Sequence, residues 1–253
     1  MEPQPSDFQA YSPEHLIALF LTITLPFVLA VVVRRTGSKL VERAVVVSIL
    51  SGLIGNYIGY LIFIRRLGEL SWEQILPMQM CDWAMVVIIV ALWTGRRRWF
   101  EVAYFWGIGG TLQAVLTPNL RYAFPDLRFI SFFVAHSGII VGVVFLMLTR
   151  RLRPFPISVV RAFAWSELYF VTAMIVDQIT GVNYGFLLHK PEAFSLLSYL
   201  SDYRPVYLLQ MHGLALAFFV VLYSPFAVAD LLGRIASHEG HKGTEGAETK
   251  NAL

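Results

Sequence analysis

The sequence predicts an all-α polytopic membrane protein: a bundle of seven transmembrane helices, N-terminus outside and C-terminus in the cytoplasm. Three observations lead there. The chain is 57% hydrophobic and 15% charged, with a mean hydropathy of +0.62, whereas soluble domains run about 45–50% apolar and about 25% charged. Its apolar residues gather into seven blocks, and about 20 helical residues cross a hydrocarbon core of about 30 Å. The basic residues crowd into alternate connections between those blocks, as the positive-inside rule requires.

The blocks fall at 14–34, 42–64, 77–94, 100–117, 129–149, 157–179 and 205–230. The third and fourth are short, separated by the run Arg96-Arg97-Arg98, and Gly68 to Leu76 is too short and too charged to cross, so it is expected at the interface. This divides the chain into an extracytoplasmic segment (1–13), a seven-helix domain (14–232) and a Gly-, Glu-, His- and Lys-rich tail (233–253) with the composition of disorder. Fourteen Lys and Arg lie on one side, in the clusters Arg34–Arg43, Arg96–Arg98, Arg150–Arg161 and the tail; six (Arg65, Arg66, Arg121, Arg128, Lys190, Arg204) lie on the other. The richer side is cytoplasmic, and an even number of spans would break the alternation. The net charge of +3 and the pI near 9.0 are therefore an orientation signal and call for no nucleic-acid partner. No Lys or Arg precedes the first block, so a cleavable signal peptide is not expected. The single cysteine, Cys81, excludes an intrachain disulfide.

Lipid gives no hydrophobic drive between helices, so small residues mark where backbones approach. Gly55 and Gly59 form one GxxxG and Gly138 and Gly142 another, while the fourth block carries Gly107, Gly109 and Gly110. All three predict close helix packing.

Polar groups inside a membrane are costly and mark a site or a buried hydrogen bond. Counting from the span ends at about 1.5 Å per residue, Asn56, Gln79, Cys81, Asp82, Gln113, His136, Asp177, Gln178, Gln210 and His212 all fall in the outer half of the bilayer. Glu167 alone lies deeper. The inner half is nearly all apolar, so the pattern predicts one polar cavity opening toward the outer leaflet. The structural alternative is that single Asn, Gln and His residues bridge helices and that a lone Cys packs as a small hydrophobe.

Chemistry is suggested because Cys81 and His136 reach the same depth from non-adjacent spans. Pro77 suits the first turn of a helix, which puts Cys81 near unpaired N–H groups and a positive dipole end that favour a thiolate. An imidazole can take the thiol proton. His136 is the first choice and His212 the second, with Asp177, Glu167 or Asp82 to orient the ring. Asp82 is adjacent to Cys81 and points about 100° away around the helix.

The motifs Leu76-Pro77-Met78-Gln79-Met80-Cys81-Asp82 and Gly110-Thr111-Leu112-Gln113-Ala114-Val115-Leu116-Thr117-Pro118-Asn119 resemble the YwaF-like bacterial seven-span integral membrane family. His136, the segment Asn183-Tyr184-Gly185-Phe186-Leu187-Leu188-His189-Lys190-Pro191 and Ser195-Leu196-Leu197 extend the likeness over about residues 40 to 225. That family is distantly similar to eukaryotic transmembrane acyltransferases that remodel phospholipids through a Cys and a His. It is also similar, more remotely, to hydrolases of branched fatty esters. The resemblance implies a bacterial plasma-membrane protein with Cys81 as nucleophile and His136 as base. Asn119 departs from the acidic residue expected after Thr-Pro.

The leading expectation is thus a lipid acyl-transfer enzyme needing no cofactor or metal, its partners being a lipid or acyl substrate and the bilayer. Gln113, Asn56 or Gln79 would donate hydrogen bonds to the oxyanion, and Lys190 and Arg204 would hold a phosphate headgroup. The competing expectation is a transporter or a small-molecule or lipid binder that uses the same cavity without covalent chemistry. A retinal protein is excluded, since Lys39, Lys190, Lys242 and Lys250 all lie outside the spans. A metal site at Cys81, His136 and His212 has no spacing signature behind it. Oligomeric state is not legible.

Overall fold

Long apolar helices with outward-facing Leu, Ile, Val and Phe make up most of the chain. The computed structural model describes residues 7–191 and 195–250, with side chains up to Gly233. Helices α1 (Pro13–Thr36), α2 (Lys39–Leu67), α7 (Leu127–Arg150), α8 (Pro156–Thr180) and α9 (Arg204–Lys250) are joined by α3 (Trp72–Ile75), α4 (Met80–Thr94), α5 (Arg97–Trp106) and α6 (Leu112–Leu116). Six stretches are long and apolar enough to cross a membrane: α1, α2, the run Trp72–Thr94, α7, α8 and Arg204–Gly233. Side chains such as Phe20, Ile23, Val47, Ile58, Val171 and Val221 stand exposed on them, the surface that lipid covers. The backbone of α9 is helical to Lys250.

The block expected at 100–117 is helical but not one regular helix. It runs as α5, a π-helical turn at Gly107–Thr111, then α6, in pieces of 10, 5 and 5 residues, about 30 Å in all at 1.5 Å per residue. Phe100, Glu101, Ala103 and Phe105 are each 0% exposed. This run packs on α4, α8 and α7, so it is the centre of the bundle. A helix enclosed by other helices can carry a charge that lipid would reject, and Glu101 is that charge. Its carboxylate meets Arg97 Nε at 3.2 Å and Arg161 Nη1 at 2.8 Å.

The two GxxxG motifs behave differently. A Cβ on Gly138 would stand 2.7 Å from Leu53 Cδ2, and one on Gly142 would stand 2.9 Å from Ile88 Cγ1. These glycines let α7 close on α2 and α4. Nothing lies within 4 Å of the corresponding position at Gly55 or Gly59. The packing expected there is not made within this chain, because α2 meets α7 through Leu53 and presents those glycines to the other side. In the central run, Gly107 meets Ile139 and Val143, Gly109 meets Leu222, and Gly110 faces open space.

Candidate functional site

Helix α4 begins at Met80 with Gln79 as its N-cap, and the Gln79 N–H donates to Asp82 Oδ2 at 3.0 Å. Cys81 is therefore the second residue of the helix, a little further into the first turn than Pro77 alone suggests. Asp82 is used as the cap partner rather than as an orienting group for an imidazole. The Asp82 N–H donates to the Gln79 carbonyl at 3.0 Å, and no side chain hydrogen-bonds the Cys81 sulfur among the described residues. The sulfur thus has the dipolar help of a helix start but no cationic partner. Its proton must pass to a base during reaction.

The candidate base lies on α7. Helices α4 and α7 touch where Ile88 and Leu92 meet Gly142. Cys81 is seven residues from Ile88, and His136 is six from Gly142, toward the same end of the bundle. At 1.5 Å per residue the two Cα atoms differ in depth by about 1.5 Å counted from Ile88 and by about 7.5 Å counted from Leu92. His136 Nδ1 lies 2.8 Å from the Phe132 carbonyl. A carbonyl only accepts, so Nδ1 carries the hydrogen and the neutral ring keeps its lone pair on Nε2. The ring stacks on Phe132 at 4.1 Å between centroids, and Nε2 has no partner among the described residues.

The other expected residues divide into those that hold the bundle and those that face outward. Asn56 donates to the Ser131 carbonyl at 3.0 Å, bridging α2 to α7. Gln79 Oε1 accepts from the Gly185 N–H at 3.5 Å, and Gln210 accepts from the Ser201 N–H at 2.7 Å. Asp177, 1% exposed, accepts the Tyr184 N–H at 2.9 Å and leaves its Oδ2 buried without a partner. Gln113 and Gln178 are exposed. Lys190 Nζ donates to the Leu200 carbonyl and to Asp202 at 2.7 Å. That ammonium holds the Asp202 carboxyl below the usual carboxylate range. Arg204 donates to the Leu187 carbonyl at 3.2 Å. Both cations make contacts that hold the loop between α8 and α9.

His212 pairs with Glu167 at 3.2 Å through Nε2, and its Nδ1 lies 2.6 Å from the Leu208 carbonyl. Phe170 meets the ring edge-on at 4.5 Å. Glu167 thus orients the second-choice histidine on the α8–α9 face. Among the described residues Cys81, His136 and His212 do not gather into one ligand set.

Sequence reasoning passed over three buried polar groups. His15, 0% exposed, accepts the Tyr11 N–H at Nδ1 and donates from Nε2 to the Val115 carbonyl at 2.9 Å, fastening α1 to α6. Glu101 sits inside the basic run that sets orientation, and its spacing of four from Arg97 was the available signal. Tyr169 carries a buried hydroxyl near Cys81. A lone Tyr in a span gives no signal, since tyrosines are common near membrane interfaces.

No solved structure matches this chain. An uncharacterised protein of Treponema pallidum (strain Nichols) is 30% identical over 213 residues, covering 83% of each chain. The model of the TMEM164 family matches residues 10–223, nearly the whole helical bundle with Cys81 and His136 inside it, and the chain belongs to that family.

Proposed function

We propose that the protein is a membrane-embedded enzyme that transfers acyl groups on lipids, with Cys81 as nucleophile and His136 as base. The observation that carries the reading is the seat of Cys81 in the first turn of α4, toward the same end of the bundle as a histidine whose Nε2 lone pair no described residue engages. Nε2 takes the thiol proton and the thiolate attacks the carbonyl of a lipid acyl ester. The leaving alkoxide takes the proton back from the imidazolium, and an acyl thioester remains on Cys81. An acceptor hydroxyl, deprotonated by the same nitrogen, then collects the acyl group. The resemblance to Cys- and His-dependent phospholipid acyltransferases supports the substrate class.

The same reading takes the broken run Arg97–Leu116 as a seventh crossing. It places the N-terminus outside, from the surplus of basic residues on the other side, and the site in the outer half of a bacterial plasma membrane. Activity-based labelling in native membranes with a lipid-tailed thiol-reactive probe tests it. Fast labelling of Cys81 that collapses in His136→Ala is expected, by about 10²- to 10⁴-fold for loss of a general base. Slow labelling indifferent to His136 would leave an ordinary buried cysteine.

A second reading, binding or transport without covalent chemistry, draws on one observation: the Glu167–His212 pair within the α8 and α9 spans. Ionisable pairs in such positions mark ligand or proton pathways. It requires ligand retention that survives Cys81→Ala and fails in Glu167→Gln.

A further inference from the structure

Of the oxyanion donors expected from sequence, Asn56 is engaged by the Ser131 carbonyl and Gln113 is turned away, exposed on α6, while Gln79 is held by its oxygen at the Gly185 N–H and keeps its amide N–H groups. A different group stands at the start of α4. The Tyr169 side chain comes across from α8, 6% exposed, and its ring meets Trp83 edge-on at 5.4 Å. Its hydroxyl donates to the Met78 carbonyl at 3.1 Å. Met78 and Trp83 bracket Cys81 in the chain, and Cys81 lies within electrostatic range of that hydroxyl. The loop above is shaped around it: Gly185 has φ +61°, and a Cβ there would stand 2.6 Å from the tyrosine oxygen. Only glycine leaves the hydroxyl its place.

We propose that the Tyr169 hydroxyl is the oxyanion donor for acyl transfer at Cys81. The assignment rests on the acyl-transfer reading above. When the Cys81 thiolate adds to the ester carbonyl, the C–S bond forms and the C=O π pair moves onto oxygen. The Tyr169 O–H turns from the Met78 carbonyl to that oxyanion, without giving up its proton. Collapse restores the C=O bond and expels the alkoxide, which is protonated by the imidazolium of His136, and Tyr169 returns to Met78. The resting hydrogen bond suits the exchange. At 3.1 Å it is longer than the usual 2.7–2.8 Å of an O–H···O bond, so little is lost in leaving it. A preset donor in a water-poor site stabilises developing charge more than it would in water.

The test separates two reactions of one sulfur. Alkylation by a lipid-tailed haloacetamide develops no oxyanion; thioester formation from a lipid-tailed activated acyl ester does. In native membranes, Tyr169→Phe is expected to slow thioester formation at Cys81 about a hundredfold, the effect of losing one such donor, and to leave alkylation within about twofold. Gly185→Ala, which pushes the hydroxyl aside, is expected to move in the same direction. It serves as the second variant if Tyr169→Phe does not accumulate. Equal slowing of both reactions in both variants would make Tyr169 a packing residue and overturn the assignment. So would thioester formation at the wild-type rate. A wild type that alkylates quickly yet never forms a thioester would overturn the acyl-transfer reading and this assignment with it.

Discussion

His136 and His212 look alike in the sequence, each a lone histidine in the outer half of a span, yet the structure gives them opposite endowments. Both use Nδ1 on the carbonyl four residues earlier, at Phe132 and Leu208. His136 then has nothing at Nε2, while His212 spends Nε2 on Glu167. Because both carbonyls can only accept, each Nδ1 carries a hydrogen. His136 is left with an Nε2 lone pair that no described residue engages. His212 Nε2 is taken up by the Glu167 carboxyl at 3.2 Å and offers no unengaged nitrogen. A base needs that lone pair. The carboxylate that sequence reasoning wanted behind the catalytic imidazole is found behind the other one.

The largest effect that this contrast predicts is at the nucleophile. Cys81→Ser should abolish formation of a hydroxylamine-labile acyl adduct in native membranes, read by an alkyne-tagged fatty acyl probe. The serine oxygen is a far weaker nucleophile at neutral pH than a thiol. Wild-type labelling of the serine variant would mean that the acyl group sits elsewhere. The contrast between the histidines would then lose its chemical meaning.

A smaller effect follows from the contact that sets the level of His136 against Cys81. A Cβ on Gly142 would already stand 2.9 Å from Ile88 Cγ1 and 3.2 Å from Leu92 Cδ1, so Gly142→Val forces α7 away from α4. Overpacking of this kind costs about 1–3 kcal/mol. It should appear as a lower thermal midpoint in detergent together with slower Cys81 labelling. Gly55→Val, with nothing within 4 Å, should change neither. Equal loss in the two variants would place a partner on the face of α2 that this chain leaves open.

The pair of GxxxG motifs also shows what the sequence can and cannot display. Six crossings are legible because lipid imposes hydropathy on any helix it touches. The central run is less so. Its first turns carry Arg97, Arg98 and Glu101, and its glycines allow a π turn that hydropathy does not encode. The expected level of Cys81 and His136 comes from counting residues along helices, a one-dimensional property. Which glycine pair packs, which histidine keeps a lone pair and what Lys190 binds depend on partners from 10 residues away (Lys190 and Leu200) to 85 (Gly138 and Leu53) along the chain, and no local pattern carries them. Tyr169 belongs to the same class. Its place beside Cys81 is set by Met78, Trp83 and Gly185 on two other segments.

The smallest predicted effect is the most discriminating. In His212→Gln the pairing with Glu167 is weakened but a hydrogen-bonding amide remains, and intramembrane side-chain hydrogen bonds are worth about 0.6 kcal/mol on average. The variant should accumulate normally, lose only a degree or two of thermal midpoint, and label at Cys81 within about twofold of wild type. The same exchange at His136 should remove most of the labelling. If His212→Gln instead matched the loss at His136, the proton on the Glu167 pair would have to reach the thiol. The α8–α9 face would then belong to the reaction rather than to the scaffold. The two histidines would then be consecutive stations of one proton path, and the unengaged Nε2 of His136 would be its terminus.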